Sequence, residues 1–269
     1  YDTVPVDYSK WKTDPFKLAI TDGRAYGRGA LDDKGNIAAI IKMLEKINID
    51  GIKGTLIYAF TGDEEVGGGH GARTIRDKLF AKNIVPNYLV NCDGHGMKII
   101  ARRRAAFNIV ITVERELVEV KGKRINLVFE AKTPIKETRH AAYFLPGVDH
   151  HPLIAASHYL RTHNNLHVSK ISGKFIKSNV IPGQVEVEFV EPDPQGDLII
   201  VDEGLRKTLE AITPLTRTPI ITQEYSDYGV NITPNVISVE EKELTLVLDV
   251  RAMIKNTSVL KESFTKTLE

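Results

Sequence analysis

An α/β region built on a mainly parallel sheet, followed by an α+β region of antiparallel strands, is the fold that the sequence predicts. Three observations predict it. Helix and strand signals alternate through the first hundred residues, and two short β-rich runs there are followed closely by acids in glycine-containing segments. From about Arg104 onward the runs lengthen and alternate apolar with polar residues.

The elements can be justified in order. Ile37, Ile40, Ile41, Leu44 and Ile47 share one helical face, with Gly35-Asn36 before them and Asp50-Gly51 after, which predicts a helix packed on a sheet. Residues 55–60 are a β-rich run ending at Thr61-Gly62, and residues 88–92 are another ending at Asp93-Gly94. Open α/β sheets bind ligands outside the carboxyl ends of their strands, so acids in these positions can converge from separate segments. Further on, residues 107–113, 125–131, 184–190 and 244–250 predict antiparallel strands with one wet face, while 152–161 and 257–268 carry helical spacing. About four strands and two helices account for this second region, with 192–196 as a turn-rich loop. No tandem repeat is evident.

Composition narrows the function classes. With 269 residues, 42% of them apolar, the chain can bury a real core. Thirty-six basic residues against 35 acidic ones give a net charge of +1, so no overall field favours nucleic acid or an acidic membrane surface. The run Arg102-Arg103-Arg104 is too short to reverse that balance. Cys92 is the single cysteine, which excludes an internal disulfide framework and fits a reducing, cytoplasmic setting; it reads as a small buried hydrophobe. No apolar stretch approaches the roughly 20 residues of a membrane-spanning helix, and no charged-then-apolar leader opens the chain. Tyr1 opens it without an initiator Met, as a passage from within a longer chain would.

The chemistry concentrates in acids. Gly-Arg-Gly-Ala-Leu-Asp-Asp-Lys-Gly over 27–35 presents Asp32 and Asp33, and Thr-Gly-Asp-Glu-Glu-Val-Gly-Gly over 61–68 presents Glu64 and Glu65. A carboxylate has two oxygens, so one Asp can bridge two divalent ions, while Asp32 and Asp33 can equally cap the helix that follows. Adjacent glutamates can divide the work, one binding metal and its neighbour taking a proton, or they can form a solvated acidic loop. Asp93 is a ligand or a turn former. Among the histidines, His70 and His95 lie near the acidic motifs, and His140 reads by itself as a loop residue. His150, His151, His158, His163 and His167 read as surface or capping residues.

With these motifs set out, the chain resembles the dinuclear zinc aminoacylase and carboxypeptidase family. Tyr1-Asp2-Thr3-Val4-Pro5 looks like the family's first motif, His-x-Asp-x-x-Pro, with its histidine falling before Tyr1. Asp14-Pro15-Phe16, Gly23, the stretch 26–35, the stretch 61–68 and Asn91-Cys92-Asp93-Gly94 follow in the family's order. Arg139-His140-Ala141-Ala142, Pro146-Gly147-Val148, Asn235-Val236-Ile237 and Asp249-Val250-Arg251 look like segments of its lid. The resemblance implies a zinc-peptidase-like catalytic domain over 1–103, partial at both ends, and a ferredoxin-like lid and dimerisation domain over 104–269. It implies two Zn²⁺ ions, replaceable by Co²⁺, with Asp32 bridging them and Glu65 and Asp93 each binding one. Glu64 would be the general base, Asp2 would orient a metal-binding histidine, and His140 would stabilise the oxyanion across a lid-mediated homodimer. Asn235 and Arg251 would contact substrate. The activity implied is amide hydrolysis of an N-acyl amino acid, of deacetylase or desuccinylase type, or of a short peptide, by attack of a zinc-bridged hydroxide. Both metal-binding histidines of the pattern fall outside residues 1–269, and about 95 residues between His140 and Asn235 imply an insertion in the lid. A catalytically silent relative that serves as a binding or assembly module is the alternative.

Overall fold

The computed structural model describes residues 1–94, 98–134, 139–222, 229–254 and 256–269. The chain divides into two units, Tyr1–Ala101 and Arg102–Glu269. Among the described residues every paired strand is antiparallel.

Unit 1 contains a small hairpin, β1 (Ala19–Thr21) and β2 (Arg24–Tyr26), and two helices, α1 (Lys34–Leu44) and α2 (Ala72–Ala81). Asp22 and Gly23, both with positive φ, make the two-residue turn between the strands, where Asp-Gly matches the strand twist. The mixture of helix and strand is as expected, but no parallel pairing is present among the described residues. Residues 55–60 and 88–92 are extended without a paired neighbour, and Leu89 and Val90 are 90% and 82% exposed. A parallel strand gains its stability from ladders on its edges and helices over its faces, and neither run has them here. For the same reason α1 has no buried residue: Ile37, Ile40, Leu44 and Ile47 are half-buried and Ile41 is exposed. Cys92 is exposed too, not the buried hydrophobe expected.

Among the described residues unit 2 holds two sheets and three α-helices. β3 (Ala105–Glu114), β9 (Glu243–Ala252) and β8 (Asn231–Val239) form one sheet in the order β3-β9-β8. The other has the order β5-β6-β4-β7, from β4 (Leu117–Glu130), β5 (His167–Gly173), β6 (Gln184–Pro192) and β7 (Asp197–Asp202). The long β4 takes β6 along its C-terminal half and β7 along its N-terminal half, and Gly122 is in register with both Pro192 and Asp197. A Cβ at Gly122 would lie 2.4 Å from the Glu191 carbonyl oxygen, so only glycine allows the strands to meet there. The expected turn follows: Asp193 Oδ1 accepts from Gln195 N–H.

Alternation fills the core. Leu244, Leu246, Leu248 and Val250 of β9 face inward with Val185, Val187 and Phe189 of β6. Three helices cover them, through Leu153 and Leu160 of α3 (Pro152–Thr162), Leu205, Leu209 and Ile212 of α4 (Glu203–Thr216), and Leu260 and Phe264 of α5 (Ser258–Leu268). Each such side chain contributes about 1.5–3 kcal/mol by leaving water. Ser157 Oγ and Thr213 Oγ1, 2.7 Å apart, pin α3 to α4. The fully buried Asp202 has two duties: Oδ1 accepts from Leu205 N–H as the cap of α4, and Oδ2 pairs with Arg115 Nε at 2.6 Å.

Candidate functional site

The acids of unit 1 are arranged by backbone bonds. Glu64 and Glu65 open a 3₁₀ turn, Glu64–Val66, whose first two N–H groups have no partner within the turn. Asp2 supplies one for each: Oδ1 accepts from Glu64 N–H and Oδ2 from Glu65 N–H, both at 3.0 Å. Partial desolvation pushes the Asp2 pKa up, yet the N–H bonds from Glu65 and Glu64, with its own N–H and the positive Tyr1 amine, together hold the carboxyl below its ordinary value. Asp63 does the same at the next turn, where Oδ2 accepts from His70 N–H at 2.6 Å and Gly71 N–H at 2.9 Å at the start of α2.

Asp32, Asp33 and Asp93 converge, each offering an oxygen within 4.8 Å of the others. The Asp32–Asp33 peptide is cis. Asp33 makes no side-chain cap bond to α1; it accepts instead from Asn36 Nδ2 at 2.6 Å, and the same amide donates to the Gly94 carbonyl at 3.3 Å. Asn36 therefore ties the Asp32-Asp33 loop to the Asp93-Gly94 turn. Of the metal set that the resemblance implies, Asp32 and Asp93 meet, Glu65 is outside the group, and Asp33 is in it. His70 is exposed and does not join the group, and His95 lies outside the described residues. Burial pushes the Glu64 pKa up, and the charges of Glu65, Asp93, Asp2 and Asp32 push it further the same way. Glu64 therefore holds a proton more readily than an ordinary glutamate does.

Unit 2 carries a second constellation. His140 Nδ1 accepts from Ala142 N–H at 3.1 Å, which leaves the proton of the neutral ring on Nε2, 3.3 Å from the amide of Asn179. The Asn179 oxygen is otherwise buried without a partner, so the amide orientation that satisfies both groups turns Oδ1 toward the ring. Burial lowers the His140 pKa and the positive Arg251 lowers it further, against an opposing effect of Asp249. Arg251 grips the buried Asp249 with two bonds of 2.7 Å. Arg104, which the sequence offered only as part of a basic run, donates to the Ala142 carbonyl at 3.0 Å; burial first and Arg251 second lower its pKa.

Asn235, expected as a substrate contact, lies at an irregularity in β8. Pro234 cannot donate to the ladder, and the register of β8 on β9 shifts between Pro234 and Val236. Asn235 at that irregularity is fully buried: its Nδ2 donates to the Ser178 carbonyl and to Thr233 Oγ1, and its Oδ1 faces His151 Nε2 at 3.0 Å. His151 stands at the N-cap position of α3, as a residue at a helix start was expected to, but it makes no side-chain cap bond and its ring is buried, which corrects the surface reading; burial lowers its pKa to about 4. Asn231, which sequence did not single out, donates to the Phe144 carbonyl at 2.8 Å and so braces the turn after His140.

Converging carboxylates, with a Glu64 of raised pKa beside them, make a candidate divalent-cation site on unit 1, while on unit 2 His140 lies near the charges of Arg251 and Asp249. The profile described as peptidase family M20/M25/M40 matches residues 1–255, and the chain belongs to that family. This bears out the resemblance read from the motifs. A succinyl-diaminopimelate desuccinylase from Parvibaculum lavamentivorans is 29% identical over 222 residues, covering 79% of this chain and 53% of the relative. One from Shewanella loihica is 26% identical over 69% of this chain and 48% of the relative. The chain thus spans about half the length of these curated relatives. Among solved structures, an aminoacylhistidine dipeptidase from Vibrio alginolyticus aligns with a TM-score of 0.38 at 10% identity, over 61% of this chain and 42% of that one. No helix among the described residues is long and apolar enough to cross a membrane.

Proposed function

We propose that the protein of which this chain is part is a metal-dependent amidohydrolase acting on an N-acyl amino acid, of deacetylase or desuccinylase type, or on a short peptide. The observation that carries the reading is the convergence of Asp32, Asp33 and Asp93 beside a Glu64 whose pKa is raised. Oxygen donors gathered this closely repel one another, and a divalent cation relieves that repulsion. Zinc, as two ions held by Asp32, Asp93 and either Asp33 or Glu65, is the cofactor proposed, with cobalt as a substitute. When bound it supplies Lewis acidity and a nucleophile at neutral pH.

The chain's own residues then have separate roles. Glu64 accepts a proton from the attacking water and returns it to the leaving amine, work suited to a carboxyl with a raised pKa. Asp2 fixes the turn that carries Glu64 and Glu65. His140, neutral with its proton on Nε2, would exchange its bond to Asn179 for one donated to the oxyanion. Arg251 meets a substrate carboxylate, and Asn235 acts from the core by holding Ser178 and His151. Residues 1–103 would serve as the catalytic domain and 104–269 as lid and dimerisation domain of a homodimer.

The test is metal analysis and hydrolysis by the full-length polypeptide over a panel of N-acyl amino acids and dipeptides. Asp32→Ala is expected to lose metal. The alternative reading is a silent relative that binds without hydrolysing. Full-length protein that carries zinc but hydrolyses nothing on the panel would favour it.

A further inference from the structure

We propose that a cavity in unit 2 beside Arg139 binds a small acidic amino acid, with its two carboxylates on Arg139 and Lys174 and its ammonium on Glu186. The cavity has a volume of about 430 Å³ and is lined by these three residues together with Ser172, Gln184 and Gly183. That volume suits a small organic molecule. The lining carries two positive charges and one negative, the complement of a ligand with two carboxylates and one amine.

Among the described residues none of the three charged side chains makes an ion pair or a hydrogen bond with another side chain. Arg139 is half-buried, and a guanidinium's planar fork is matched by a carboxylate, which can accept two parallel bonds from it. Its seat is prepared by glycine. A Cβ at Gly183 would stand 2.1 Å from Arg139 Nη1 and 3.2 Å from Cζ, so the guanidinium lies over a position that any other residue would fill. The backbone beneath is fixed: the Arg139 carbonyl accepts from Ile181 N–H at 2.9 Å, and His140 bridges to Val180. The amine-binding role of Glu186 follows from charge, because an exposed carboxylate on the same lining repels a plain dianion and attracts a ligand that carries an ammonium. This site stands whether or not the protein hydrolyses amides.

The test is isothermal titration calorimetry of the full-length protein with glutamate, glutarate, glutamine and inorganic phosphate. Glutamate is expected to bind, with glutarate weaker for want of the amine and glutamine weaker for want of the second carboxylate. Arg139→Gln removes a charge-assisted bond and is expected to weaken glutamate binding about tenfold or more. Gly183→Ala is expected to do the same without harming the fold, because the atom its methyl meets is the end of a flexible side chain. Phosphate or glutarate binding as tightly as glutamate would overturn the ligand assignment. Absence of glutamate binding, or equal binding by Arg139→Gln and the unaltered protein, would overturn the site.

Discussion

Unit 1 and unit 2 are held together by different means. In unit 1 neither helix has a buried residue, and order comes from carboxylates that accept backbone N–H bonds: Asp2 at the Glu64-Glu65 turn, Asp63 at the start of α2. In unit 2 order comes from a core of leucines, valines and phenylalanines shared by two sheets and three helices. The contrast teaches where chemistry and stability reside. The acids that can hold a cation sit on loops whose shape depends on a few polar bonds, while His140 and Arg251 sit on a unit whose packing is independent of them.

The largest effect expected is on chemistry and not on folding. Glu64→Ala removes the proposed base while leaving Asp32, Asp33 and Asp93 in place, so hydrolysis by the full-length protein should fall by about 10²–10⁴-fold with metal content and melting temperature unchanged. Hydrolysis at the normal rate would sink the assignment. The next prediction tests the contrast directly. Leu209→Ala in α4, fully buried, should cost about 2–5 kcal/mol, whereas Ile41→Ala in α1, 47% exposed, should stay within about 0.5 kcal/mol. Chemical denaturation of the 1–269 chain measures both, and equal losses would erase the distinction between the units.

A pH series sharpens the same point for unit 2. His151 has its folded pKa lowered from 6.5 to about 4, so the folded form disfavours the proton that the unfolded chain accepts. Its contribution is fully present above pH 6.5 and is lost as pH falls toward 4, roughly 3 kcal/mol in all at about 1.4 kcal/mol per pKa unit. His151→Gln should flatten that part of the stability profile between pH 7 and 4.5. An unchanged profile would mean that His151 is not buried as described.

What could be read in the sequence differs between the units in the opposite sense to their packing. In unit 1 the motifs stood out, because Asp32, Glu64 and Asp93 have glycine close by, yet among the described residues the runs before them have no paired strand. Strand runs reveal an extended backbone and not its partners. In unit 2 the strands on β3, β4, β6 and β9 and the helices α3 and α5 were legible from alternation and helical spacing. α4 was not, since Pro214 within its last turn interrupts the pattern that Leu205, Leu209 and Ile212 set, and its cap, Asp202, declares itself only when Leu205 N–H is seen to need an acceptor. The residues that brace the sites, Asn36, Arg104, Asn179 and Asn231, have no local signature. Each acts on a segment distant in the chain, and an amide that bonds a remote carbonyl looks in sequence like any loop asparagine.

The smallest effect distinguishes an organising carboxylate from a merely acidic one. Asp2 accepts two N–H bonds with two oxygens, and its side chain is only partly shielded, so its loss should loosen one turn and not the unit. Because its folded pKa lies below the ordinary 3.8, what it contributes is present above that pH and is lost as pH falls below it. Amide hydrogen exchange near neutral pH reads the turn residue by residue. Asp2→Ala should speed exchange at both Glu64 and Glu65, since neither N–H keeps its acceptor. Asp2→Asn presents one oxygen where there were two, and should speed exchange at one of the pair while sparing the other. Equal protection in all three proteins would show that the turn holds without Asp2, and that the glutamate pair owes its placement to something other than this carboxylate.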